Sequence, residues 1–325
     1  MKVVVIGLGS MGKRRIRLIK KINENVEVCG VDGNLERCKA ASELYGIKTY
    51  TSIAEVNSKD EISCAFVCTS PLSHADIIQE CLSNYWHVFT ELNLVTDKYE
   101  ENIALAKKNN CELFLSSTFF YQDEVIYMKK RIGDKQNLNY IYHIGQYLPD
   151  WHPWENYKDF FVGNQRTNGC REIMAIEFPW LLNTFGQVKE YSVISDKMSE
   201  LNINYNDNYM IQLVHENGRK GVLIVDVVSP KAVRTLEVYG ENFYTSWDGT
   251  PEGLMEFNQE TKETEVVELY DNIDHMEGYS AFVVENAYQN EIQEFFDVLD
   301  GKKVQQYGFE KDMEILQLID KIEGV

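Results

Sequence analysis

The stretch that decides the fold is Val4-Val5-Ile6-Gly7-Leu8-Gly9-Ser10-Met11-Gly12. A β-branched run, Lys2–Ile6, ends in a glycine turn, and Met11–Ile22 follows with helical spacing and a basic face. Alone, a GxGxxG match is weak. Between a strand and a helix it meets the requirement of a dinucleotide-binding turn. The first glycine allows the tight turn, the second lets the backbone approach a pyrophosphate, and the third lets the helix pack closely on the strand. The helix N-terminus then presents N–H groups and a positive dipole end to the phosphates. Gly7, Gly9, Ser10, Met11 and Gly12 are therefore candidate cofactor contacts.

Asp32 closes the next apolar run, Val26–Val31. A carboxylate there accepts hydrogen bonds from the adenosine ribose and repels a 2′-phosphate, which favours NAD over NADP. The competing roles are that Asp32 only starts the turn Asp32-Gly33-Asn34, and that Arg37 meets a 2′-phosphate. Strand-like runs at Ile62–Cys68, His87–Thr90 and Glu112–Leu115 alternate with helical ones at Leu35–Tyr45, Ser73–Asn84 and Asp97–Asn109. That alternation implies parallel pairing with right-handed crossovers. Thr69, Ser70 and Pro71 end a strand and would line the cofactor groove; His74 opens the next helix, as cofactor neighbour, cap or packing residue.

Beyond about residue 120 the pattern changes. Phe119–Ile132 reads as a helix and Leu138–Tyr147 as a strand, while Tyr209–Val214 and Gly221–Val228 flank Asn217-Gly218, a hairpin signal. Val233–Tyr239 and Phe243–Trp247 add short strands, and helices are expected near Tyr279–Leu299 and Phe309–Ile322. The expected fold class is α/β: a doubly wound parallel-sheet (Rossmann) domain over 1–120, then an α+β domain over 121–325 with a large, open, mostly antiparallel sheet. The terminal helices are placed to pack back on the first domain.

A chain of 325 residues fits two domains. Its formal charge, 32 − 51 = −19, disfavours nucleic acid and anionic membrane surfaces as partners. No run approaches the roughly 20 apolar residues of a membrane span, and the first apolar run passes straight into a glycine turn, unlike a signal peptide. The cysteine count, seven, is odd and holds no C-x-x-C pair; Cys64 and Cys68 share a strand face and read as buried thiols. A cytoplasmic protein without a metal site is expected.

The chain resembles the Gfo/Idh/MocA dehydrogenases over essentially its whole length. The residues that carry the resemblance are the glycine stretch above, Val67-Cys68-Thr69-Ser70-Pro71-Leu72-Ser73-His74-Ala75, His87-Val88-Phe89-Thr90-Glu91 and Arg234-Thr235-Leu236-Glu237-Val238-Tyr239-Gly240. The resemblance implies hydride transfer between a nicotinamide and a sugar, cyclitol or related polyol. It also implies Glu91 beside the cofactor and a homodimer or homotetramer formed through the open sheet. Two departures stand out. The family follows its glutamate with lysine and proline, the lysine assisting proton transfer; here Leu92 and Asn93 follow Glu91. A second family motif places an aspartate and, four residues on, a histidine near the nicotinamide; counting back from Leu182-Asn183-Thr184-Phe185-Gly186 puts Glu172 and Ile176 there, or Glu177 one residue along.

Replacement groups are sought between Tyr147 and Trp180. Reduction of a carbonyl needs a proton from a positioned acid. His152 and Tyr157 are candidate donors, as are Glu172 and Glu177 if desolvation raises their pKa. Trp151 and Trp154 are candidate substrate contacts, and Arg171 a candidate clamp for an acidic substrate group. Each has a structural alternative: His152-Pro153 as a turn, the tryptophans as packing, Arg171-Glu172 as an ion pair. Three functions remain open on the residues: an NAD-dependent oxidoreductase acting on a sugar, nucleotide sugar or related polyol with a non-standard proton donor; a non-catalytic NAD-binding sensor; and an enzyme using NAD transiently in a redox-neutral elimination or epimerisation.

Overall fold

The computed structural model describes residues 1–56, 61–152, 155–274 and 282–325. The chain forms two compact units, Met1–Thr118 with Tyr288–Gln317, and Phe119–Ala287 with Leu318–Val325.

The first unit is built on a parallel sheet. Its strands are β1 (Lys2–Ile6), β2 (Glu27–Val31), β3 (Lys48–Tyr50), β4 (Cys64–Val67), β5 (His87–Thr90) and β6 (Leu113–Leu115), in the order β3-β2-β1-β4-β5-β6. Helices α1 (Ser10–Ile22), α2 (Leu35–Tyr45), α3 (Pro71–Ser83) and α4 (Tyr99–Asn109) make the crossovers. The strands are near-continuous apolar runs because a parallel sheet is covered on both faces. Phe66, Phe89 and Phe114 stack across neighbouring strands at 4.7 and 5.3 Å between ring centroids, and Phe295 meets all three. Strand order reverses direction between β1 and β4, the switch point at which such sheets bind ligands. The expected helix Met11–Ile22 forms, but its basic face is not all solvated: Arg14 and Arg15 are buried.

The second unit holds an eight-stranded sheet in the order β14-β13-β12-β11-β7-β10-β9-β8. Its strands are β7 (Asn139–Gly145), β8 (Val188–Asp196), β9 (Asn208–His215), β10 (Lys220–Asp226), β11 (Val233–Gly240), β12 (Phe243–Trp247), β13 (Met255–Phe257) and β14 (Thr264–Val266). Every pair is antiparallel except β7 with β10. The Asn217-Gly218 signal marks the β9–β10 hairpin, where Gly218 takes φ +86°. The helix of the first part of this unit, α5 (Asp123–Ile132), is shorter than expected, because Thr118–Tyr121 coils as a 3₁₀ turn first.

Period-two alternation splits the sheet into two faces. Tyr140, Tyr142, Ile211, Leu213, Leu223, Val225, Leu236 and Val238 are buried. The other face leaves Ile141, Ile194, Met210 and Tyr239 exposed. Helix α6 (Gly169–Phe185) packs on the sheet and is buried along nearly its whole length. The sequence reading has no helix here. Its apolar residues run round the helix without a 3.6-residue stripe, and its few charged residues, Arg171, Glu172 and Glu177, mark no polar face. Pro179 inside it removes the N–H due to the residue four before and signals a break. Arg219 donates to the carbonyls of Gly133, Lys135 and Thr184, satisfying chain ends at the C-termini of α5 and α6. The last helices are α7 (Glu285–Leu299) and α8 (Phe309–Glu323); part of the helix expected over 279–299 lies outside the described residues. No helix among the described residues is long and apolar enough to cross a membrane.

Candidate functional site

In the first unit the chain leaves β1 through Gly7, whose φ is +92°. A side chain at Gly7 would stand 2.6 Å from the Cys68 carbonyl oxygen, so the loops leaving β1 and β4 touch through backbone alone. A Cβ on Gly12 would fall 1.8 Å from the Gly7 carbonyl oxygen. Gly9, by contrast, has open space where its side chain would be, as close approach of a pyrophosphate requires. Gly9 is also the N-cap of α1; no side chain caps the helix and no acidic residue occupies its first turn, which holds Ser10 and Met11. That leaves the dipole end to an anion.

Asp32, at the end of β2, accepts from the Leu8 N–H at 2.8 Å through Oδ2 and from the Asn34 N–H at 2.8 Å through Oδ1. The carboxylate is thus both the turn residue and a fixed partner of the glycine loop. Arg37 stands 3.8 Å from Asp32 Oδ2 with its side chain 56% exposed. After β4, Thr69 leads to Ser70, the N-cap of α3, and to Pro71 at its first position. His74 is buried: Nε2 lies 2.9 Å from the Thr69 carbonyl and Nδ1 2.7 Å from Asn93 Oδ1. It ties α3 to the loop after β5, and burial pushes its pKa down. These residues fit an NAD cradle, Asp32 in the place of the ribose partner.

Glu91 follows β5 and is held by Arg15, whose Nε and Nη2 donate to its two oxygens at 2.6 and 3.0 Å. Sequence reasoning missed Arg15. A basic residue inside a basic helix gives no sign of burial, and its partners lie 76 and 276 positions away in the chain.

In the second unit, Asn168 caps α6 by accepting from the Arg171 N–H, and Glu172 lies in the first turn. Glu172 Oε2 is buried without a hydrogen-bond partner, and desolvation raises the carboxyl pKa to about 8. Burial of the charged form is uncompensated, so the protonated acid is favoured near neutrality. Arg171 does not serve as the free clamp the sequence allows: it pairs with Asp320 at 2.6 Å and with Glu323 of α8. An arginine followed by a glutamate leaves its carboxylate partners, here 149 and 152 residues distant, unspecified.

Glu177 is fully buried and accepts from Tyr142 Oη at 2.7 Å, Trp180 Nε1 at 2.7 Å and Arg234 Nη1 at 2.5 Å. The Arg234 guanidinium also lies 4.6 Å over the Phe119 ring. With three donors converging on it, Glu177 is an acceptor in a buried network with Tyr142, Trp180 and Arg234, where the sequence reading had it as a candidate acid. Its position on a largely buried helix, paired across to β11, is invisible to local spacing.

His152 packs against Phe160 at 4.3 Å between ring centroids, and burial lowers its pKa. A neutral imidazole at pH 7 is a weak acid for this purpose. Tyr157 accepts at its hydroxyl from the Asn202 N–H, 3.2 Å away. Trp151 donates from Nε1 to the Gln146 carbonyl and packs toward Gly169 at the start of α6. Trp154 lies outside the described residues. Leu92, the residue after Glu91, is half-buried and brings no proton-transferring group.

The profile described as the oxidoreductase family, NAD-binding Rossmann fold, of the Gfo/Idh/MocA group matches residues 1–117. Over 210 residues, 64% of this chain and 64% of the relative, the chain is 24% identical to biliverdin reductase A of Homo sapiens. Over 98 residues, 30% of each chain, it is 30% identical to inositol 2-dehydrogenase of Renibacterium salmoninarum. The chain thus spans less than two thirds of either curated relative. In fold it is similar to a UDP-N-acetylglucosamine 3-dehydrogenase of Acidithiobacillus ferrooxidans, with a TM-score of 0.78 at 15% identity over 100% of this chain and 97% of that one. Residues 1–117 are thus similar to the NAD-binding Rossmann fold of the Gfo/Idh/MocA oxidoreductases, and it is this segment that forms the parallel sheet of the first unit.

Proposed function

We propose that the protein is an NAD-dependent oxidoreductase that moves a hydride to or from a sugar, nucleotide sugar or related polyol, with Glu172 handling the proton. The observation that carries the reading is the glycine cradle with Asp32 locked beside it: open space at Gly9, backbone contact at Gly7 and Gly12, and both Asp32 oxygens fixed by N–H groups. NAD supplies the hydride chemistry when bound. Gly7, Gly9, Ser10, Met11 and Gly12 hold the pyrophosphate, Asp32 the adenosine ribose, and Thr69, Ser70, Pro71 and Glu91 line the remaining half. Asp32 sets NAD above NADP, and Arg37 is already turned toward Asp32.

Glu172 is the proton-handling group in this reading because it alone among the acid candidates has a buried carboxyl oxygen without a partner and a pKa raised to about 8. Trp151 and Tyr157 belong to the substrate-recognition segment in this reading. A sugar-type substrate is supported by the names of two proteins it resembles, an inositol dehydrogenase by sequence and a UDP-N-acetylglucosamine dehydrogenase by fold. We place the protein in the cytoplasm, where thiols stay reduced: none of its cysteines is in a disulfide among the described residues. The apolar outer sheet face, with Ile141, Ile194 and Met210, forms a homodimer or homotetramer contact, which sedimentation of an Ile194→Glu, Met210→Lys variant would show by dissociation.

The test of activity is to mix purified protein with NAD and a panel of sugars, nucleotide sugars and cyclitols, following nicotinamide absorbance and measuring NAD binding separately. Turnover on one member supports the reading. Bound NAD with no turnover across the panel favours the second reading, a non-catalytic NAD sensor, which Leu92 motivates.

A further inference from the structure

In the second unit, Arg234 of β11 enters the network around Glu177 through a single amino group. Nη1 donates to Tyr142 Oη at 2.8 Å and to Glu177 Oε1 at 2.5 Å. A guanidinium presents its N–H donors as a planar fork. The other edge of this fork, Nε with Nη2, has no partner among the described residues, and neither atom is sealed from solvent. The side chain keeps 13% of its surface exposed. The stem lies against Gly249, where a Cβ would stand 2.6 Å from Arg234 Cδ. The guanidinium lies 4.6 Å over the Phe119 ring, which Trp180 and Trp247 meet at 6.2 and 6.5 Å between ring centroids.

Period-two alternation sets Arg234 on the same sheet face as buried Leu236 and Val238, at the rim where β11 begins and β7 ends; its register partner is Ile144. Neutralising Glu177 does not require a fork at this rim. One amino group meets that carboxylate, and a lysine would serve as well. What the pair leaves over is a fixed set of coplanar N–H directions, the geometry that grips both oxygens of a carboxylate at once. The aromatic surroundings lower the local dielectric and strengthen each bond made there. Glu177 already offsets the guanidinium charge, so the free edge suits a singly charged acid better than a doubly charged phosphate.

We propose that the free Nε–Nη2 edge of Arg234 binds the carboxylate of an acidic sugar, so that the protein takes a sugar acid in preference to a neutral polyol. Arg234 thus fills the anion-holding role for which Arg171, tied to Asp320 and Glu323, is not placed. This narrows the sugar-type substrate of the proposed function and rests on that reading.

The test is calorimetric titration of the intact protein, without nucleotide and then with NADH, using matched sugars: D-glucuronate against D-glucose, and D-galacturonate against D-galactose. Glucose 6-phosphate serves as the phosphate arm. At least one acid should bind about tenfold to a hundredfold more tightly than its neutral partner, the range of charge-assisted hydrogen bonds. Arg234→Lys keeps a cation beside Glu177 and removes the fork; it should erase most of that preference and leave affinity for the neutral sugar unchanged. A wild type without acid preference in either pair overturns the proposal, as does one that binds the phosphate sugar and neither acid. A lysine variant that keeps the full preference, or loses both sugars equally, also overturns it. The wild-type comparison needs no variant, so misfolding of the variant does not shield the idea. Acid preference in a protein that binds no NAD would leave this site standing and sink the oxidoreductase reading. NAD-dependent turnover of neutral sugars without acid preference would do the reverse.

Discussion

Helices α1 and α6 begin in opposite ways. The start of α1 is glycine: Gly9 caps without a side chain, and no acid occupies the first turn. The start of α6 is closed by side chains: Asn168 accepts from the Arg171 N–H, and Glu172 follows in the first turn. An unshielded helix N-terminus is suited to a phosphate, which brings its own negative charge. A capped one that buries a carboxyl with no partner keeps that carboxyl protonated. The difference explains why the glycine loop could be read directly while the state of the Glu172 carboxyl could not.

The largest expected effect tests the α6 end. Glu172→Gln should lower turnover by about 10²–10⁴, the usual yield of a positioned acid, while NAD affinity stays put. In the wild type, the reductive rate should fall as pH rises through about 8, where Glu172 loses its proton. The same group has a stability signature. Its pKa is raised from 4.5 to about 8 on folding, so the unfolded chain releases the proton first and wild-type stability should decline as pH rises between those values. Urea melts at a series of pH values check this: the glutamine variant should show a flatter curve, and identical slopes would argue that Glu172 is ionised in the fold.

Glu177 sharpens the contrast between two carboxyls one helix turn and a residue apart. Glu177→Ala strands the buried Arg234 and should cost about 3–5 kcal/mol of stability, read by denaturant unfolding. A loss of activity in a variant that stays fully folded would instead restore Glu177 as a catalytic residue.

At the α1 end, Gly12→Ala sets a methyl group against the Gly7 carbonyl oxygen. It should destabilise the protein by about 1–3 kcal/mol and weaken NAD binding, measured by thermal unfolding and titration. The smallest effect belongs to the cap. Asn168→Ala should cost about 1 kcal/mol and leave NAD affinity unchanged. If the cap variant damaged NAD binding as much as Gly12→Ala, the division of labour between the two helix starts would be wrong.

The sequence by itself determined what is local. Gly7 and Gly12, flanked by a β-branched run and a helix, take positions where no side chain fits, Gly9 between them leaves open space, and Asp32 falls at the next strand end. The β9–β10 hairpin was legible for the same reason, in Asn217-Gly218. Only the tertiary structure decided the fate of charges. Arg15, Arg171 and Arg234 look alike in sequence, yet each is committed to carboxylates far along the chain, Glu291, Glu323 and Glu177. Glu172 and Glu177 look interchangeable, yet one lacks a partner and the other has three. A buried charge is defined by what surrounds it, because desolvation and pairing are properties of the packed interior. Helix α6 stayed hidden on the same ground: a helix buried along nearly its whole length has no broad polar face to set its period, so its existence is fixed by the sheet it packs against.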